Sequence, residues 1–86
     1  MEIGNTSYVI GDLVRKIRIN VLDWGIYAVV RDKTKNSQNF RYLERNFKKT
    51  KNYPTIEDNI ERAMKYYRSP QYSIGFIKKC YELKNN

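Results

Sequence analysis

Apolar and charged residues alternate almost one for one in the first third of the chain. Ile17, Ile19 and Val21 stand against Lys16, Arg18 and Asn20. A period of two predicts a strand over 14–21 with one buried face. Asp23-Trp24-Gly25 follows with turn chemistry, Gly25 being free to take the positive φ of a tight reversal. Ile26 to Arg31 is β-branched and aromatic, with Ile26, Ala28 and Val30 on one face and Tyr27, Val29 and Arg31 on the other. The two runs make a hairpin. Residues 32–39 hold no apolar side chain and several turn formers, which predicts a loop.

Alternation resumes over 40–47, where Arg41, Leu43, Arg45 and Phe47 oppose Phe40, Tyr42 and Glu44, a third antiparallel strand. Residues 3–10, around Tyr8-Val9-Ile10, supply a short fourth. Beyond the basic connector 48–52 the period changes. Thr55-Ile56-Glu57-Asp58 matches a capping pattern, and Ile56, Ile60, Ala63, Met64 and Tyr67 follow at helical spacing, giving a helix over about 56–68. Ser69-Pro70 ends it and can open a second, whose apolar face is Phe76, Ile77, Cys80, Tyr81 and Leu83, with Gly75 weakening its interior.

Strands followed by helices define an α+β class: an antiparallel meander of three to four strands, then one or two helices packed on one face. Residues 1–86 are too few for more than one small domain. Eight Tyr, three Phe and one Trp compensate for a modest apolar content when the core is built.

Charge sharpens the picture. The chain carries +8, and +6 of it falls between Arg31 and Lys51, where Arg31, Lys33, Lys35, Arg41, Arg45, Lys48, Lys49 and Lys51 face only Asp32 and Glu44. Such localised charge, with Phe40, Tyr42 and Phe47 inside it, points to a phosphate-rich or acidic partner. These eight cations are the candidate nucleic-acid contacts, the lysines as point charges and Arg41 and Arg45 as forked donors. A solvated hairpin tip is the competing explanation, and the concentration of charge favours contact.

Tyr27 and Tyr42 are candidates for base stacking or, with Trp24, for a protein interface. For a chain this small, Trp24, Tyr27, Tyr42, Phe40 and Phe47 are all expected first to fill the core. No RNP-type run is present, which disfavours an RNA-recognition motif.

Catalysis has little to work with. The chain has no histidine and a single cysteine, Cys80, which removes the usual zinc and thiol-protease constellations and any internal disulfide. Cys80 sits at an apolar helical position and reads as core filler. Glu57, Asp58 and Glu61 could hold a divalent ion, but dipole compensation at a helix start explains them better. The expectation is a non-enzymatic protein with no cofactor and no metal. No apolar run approaches bilayer length and no signal-peptide pattern opens the chain, so a reducing cytoplasm is the expected compartment.

The Ile17–Val21 and Ile26–Val30 strands, the polar Lys33–Asn39 turn and Tyr53-Pro-Thr-Ile-Glu opening a helix resemble the small accessory proteins of phages and mobile elements of low-GC bacteria. The resemblance spans about residues 14–68 and carries no site residues with it. Some members of that set are anti-CRISPR proteins, which block a nucleoprotein complex without catalysis. Many of these are acidic DNA mimics, and +8 contradicts mimicry. The resemblance implies a protein that grips guide RNA, target DNA or an acidic protein patch. Two rivals stand beside it: a protein–protein module or homodimer using the sheet edge and Trp24, and a small metal-dependent nuclease using Glu57 and Glu61.

Overall fold

The computed structural model describes residues 2–69, the side chains of 2–6 excepted. Four strands, β1 (Glu2–Ile10), β2 (Leu13–Leu22), β3 (Gly25–Thr34) and β4 (Arg41–Lys48), form an antiparallel sheet in the order β1-β2-β3-β4. One helix, α1 (Ile56–Tyr66), follows. This is the expected α+β meander with four strands. The expected second helix and Cys80 lie outside the described residues.

Register turns the alternation into two chemically distinct faces. Ile17 lies opposite Val30, Ile19 opposite Ala28, and Ile26 opposite both Val21 and Phe47. These side chains pack beneath Ile56, Ile60, Ala63, Met64 and Tyr67 of the helical segment, with Tyr8 from β1 closing the same core. Burying an aliphatic side chain of this size contributes about 1.5–3 kcal/mol, so this layer holds the fold together.

Two-residue turns set the registers. Gly11-Asp12 joins β1 to β2, with Gly11 at φ 58°. Asp23-Trp24 joins β2 to β3, and Gly25 follows at φ 150°. A Cβ on Gly25 would overlap the Phe47 carbonyl oxygen and come within 2.9 Å of the Lys48 Cα. Gly25 is therefore required both by its backbone angle and by the close approach of β4.

The α1 start is the expected one. Thr55 Oγ1 accepts from the Asp58 N–H at 3.1 Å, and Asp58 Oδ2 accepts from the Thr55 N–H at 3.3 Å, a reciprocal capping box. The end comes earlier than expected. Arg68 takes φ 56°, its N–H donating to the Lys65 carbonyl, while the Ser69 N–H donates to the Met64 carbonyl at 2.8 Å. That pair of bonds is a Schellman closure, with arginine where glycine is usual.

The loop predicted to begin at Asp32 begins later, because β3 continues to Thr34. Asp32 lies opposite Arg15 on β2 and forms an ion pair with it at 2.7 Å. Read in isolation, Asp32-Lys33-Thr34 looks like a turn. A neighbouring strand holding a guanidinium makes it strand.

Candidate nucleic-acid interface

The second sheet face, turned away from α1, follows from the same parity. β2 sends Lys16, Arg18 and Asn20 to it, β3 sends Tyr27, Val29, Arg31 and Lys33, and β4 sends Tyr42, Glu44, Asn46 and Lys48. Asp32, one residue from two of these cations, points the other way. Glu44 is the carboxylate this face carries among the side chains described on those three strands.

Its centre is a cation cluster. Lys16 and Arg31 are direct cross-strand partners, and like charges so placed repel. No salt bridge involves either of them among the described residues. Phe40, just before β4, gathers them: the Lys16 Nζ lies 5.4 Å from its ring centroid, the Arg31 Cζ 5.7 Å and the Lys33 Nζ 5.7 Å. Cation–π attraction at an exposed site contributes about 0.5–1 kcal/mol each and partly offsets the repulsion. Beside the cluster is a shallow depression of about 190 Å³ lined by Lys16, Ile17, Arg18, Val29, Arg31 and Tyr42. Val29 forms its floor, 8% exposed although it faces away from α1.

Tyr42 is 63% exposed and lies opposite Arg31. It is therefore not the core residue it was expected to be. Phe47, five positions on, is core, because odd positions of β4 lie under the helix and even ones do not. Tyr27 is half-buried on the face away from α1, and a hydrogen bond to Glu44 raises its pKa above the ordinary tyrosine value. Trp24 is also not core. It sits in the β2–β3 turn, beyond the end of the sheet, and is 41% exposed.

The eight cations of the basic run divide among several surroundings. Arg31, Lys33 and Lys48 share the face with Tyr42. Lys35 stands in the turn after β3, its N–H donating to the Asp12 carbonyl. Lys49 and Lys51 belong to the connector before α1. Arg41 and Arg45 have the opposite parity and fall on the α1 side. Arg45 stacks on Tyr66, 4.5 Å from its ring centroid, and donates to its hydroxyl at 3.1 Å. Lys16 and Arg18 join the site although they lie outside the run. Their signal was the alternation of β2 itself, which sends them opposite to Ile17 and Ile19.

Two of the acidic residues of α1 have other partners. Asp58 completes the capping box, and Glu61 lies 3.7 Å from Lys65 one turn on. Among the described residues no group of three or more His, Cys, Asp or Glu is placed to hold a metal ion. Nor is any helix long and apolar enough to cross a membrane among the described residues.

The architecture is an α+β meander with one helix-covered face and one basic, aromatic face. No protein-family model matches the chain, and no curated protein or solved structure matches it.

Proposed function

We propose that this chain is a non-catalytic binding protein that acts on nucleic acid, alone or within a nucleoprotein complex. The observation that carries the reading is the cross-strand pair Lys16 and Arg31, held with Lys33 around Phe40 on the face away from α1. Two like charges placed side by side weaken a sheet, and a bound polyanion relieves that repulsion. The resemblance to phage accessory proteins adds a concrete version, in which the nucleic acid belongs to a host CRISPR complex and the protein inhibits it. In either version Lys16, Arg18, Arg31 and Lys33 make the phosphate contacts, with Lys35, Lys48, Lys49 and Lys51 extending the field.

Fluorescence anisotropy with labelled RNA and DNA tests the reading. If four cations engage phosphates, affinity falls about 50- to 150-fold between about 50 and 200 mM salt, through counterion release. The double substitution Lys16→Glu and Arg31→Glu flattens that dependence. Absence of binding to every nucleic acid at low salt overturns the proposal.

Trp24 and Leu22, exposed together at the β2–β3 end, favour a second reading as a protein-binding module. Partner capture that is insensitive to salt and abolished by Trp24→Ala would support it.

A further inference from the structure

Resting on that reading, we infer that the ligand is single-stranded nucleic acid, with one base stacked on Tyr42 and the adjoining phosphate seated in the Lys16–Arg18–Arg31 depression. Three observations converge on this. Among the described residues the depression is lined by three cations and one aromatic ring, and by no carboxylate. A phosphodiester, which carries one charge and is narrow, fits such a lining.

Outside the β2–β3 turn, where Trp24 is also exposed, Tyr42 then differs from the other described rings. Phe47, Tyr66 and Tyr67 pack edge to face on one another. Phe40 already has cations about its ring, and Arg62 lies 4.5 Å from the Tyr53 centroid. Tyr27 bonds to Glu44. The Tyr42 side chain has no ring, cation–π or hydrogen-bond partner among the described residues, and it is the most exposed of the large apolar side chains described on this face.

Geometry excludes the duplex from this pairing of functions. A base can lie on the Tyr42 ring only when unstacked from its neighbours, and a paired base inside a duplex offers no free face. A duplex can touch the cations through its backbone but leaves Tyr42 unused. Because every base has a π-face, stacking of this kind tolerates sequence. RNA and DNA single strands share this chemistry, and a 2′-hydroxyl is not needed for it.

The test uses the full chain and mixed-sequence oligonucleotides of about twelve nucleotides, as single-stranded RNA, single-stranded DNA and the matching duplex. Tyr42→Ala and Tyr42→Phe are compared with the parent by anisotropy, with thermal melts showing that each variant is folded. The expected result is preference for single strands, lost about 5- to 150-fold in Tyr42→Ala and retained in Tyr42→Phe. Duplex affinity is expected to be the same in all three proteins. Equal affinity for duplex and single strand, or a Tyr42→Ala protein that binds single strands as the parent does, overturns the inference and leaves the nucleic-acid reading standing. No binding by the parent to any of the three overturns both.

Discussion

Arg15 and Asp32 face each other across β2 and β3 on the helix-covered side, the guanidinium holding the carboxylate with two hydrogen bonds of 2.7 Å. Asp32 is buried, 6% exposed. A third Arg15 N–H donates to the Tyr67 carbonyl at 2.9 Å, where the hydroxyl of Tyr8 also donates at 2.8 Å. One guanidinium thus joins two strands to the end of α1. The pairing also matters on the other face. It withdraws the carboxylate nearest in sequence to Arg31 and Lys33, so their charge is left to the surface.

Removing one member of this pair strands a largely buried charge. Asp32→Asn is expected to cost about 3 kcal/mol in denaturant unfolding, because Arg15 keeps its charge without its partner. The double variant Arg15→Met with Asp32→Leu recovers more than half of that. An Asp32→Asn protein within about 0.5 kcal/mol of the parent would show that the pair does not hold the strands. Nucleic-acid binding by folded Asp32→Asn should match the parent, since the substitution faces the other way.

Alkaline pH acts through Tyr8. Burial pushes its pKa up to about 12 in the folded protein, against 10.0 for the ordinary side chain. Between those values the folded state holds a proton that the unfolded state has lost. The contribution is therefore complete below pH 10 and is lost as pH rises toward 12, by about 2–3 kcal/mol. Tyr8→Phe removes that part of the slope while giving up one hydrogen bond, worth about 1 kcal/mol at neutral pH. Unfolding curves for both proteins across pH 9 to about 11.5 measure the difference. Superimposable slopes would show that Tyr8 does not ionise differently on folding.

Gly25→Ala tests the β2–β3 turn. The new methyl group meets the Phe47 carbonyl and the backbone angle is one that L-residues avoid, so a loss of at least about 2 kcal/mol is expected. Gly11→Ala is the control. It shares a positive φ but has open space about it, and should cost only about 1 kcal/mol. Equal melting points for the two variants would mean that contact with β4 adds nothing.

Parity ranks the cations. Arg31→Ala and Lys16→Ala should each weaken nucleic-acid binding several-fold and lower the salt slope by about 0.7–0.9. Arg45→Ala should do neither, while loosening the Tyr66 ring it stacks against. A binding loss for Arg45→Ala as large as that for Arg31→Ala would move the interface to the α1 side.

The period-two pattern of β2 and β3 and the Thr55–Asp58 cap were enough to determine strands, hairpin, helix start and which residues face the core, because these depend on neighbours close in sequence. Residues 3–10 were legible only as a short extra strand, and it is pairing with β2 through the Gly11-Asp12 turn that makes β1 a full member of the sheet. The basic run located charge along the chain but not in space. Only strand pairing carries β3 on through Asp32, which alternation then turns away from Arg31, sends Arg45 to Tyr66, and brings Lys16 and Arg18 from β2 to stand beside Arg31 and Tyr42. The exposure of Tyr42 and Trp24 was likewise settled by tertiary structure, since composition alone favoured burial for every large aromatic. Alternation is a property of one strand and can be read from its residues, whereas a site made by three strands depends on register, which the sequence specifies only through the packing of the finished sheet.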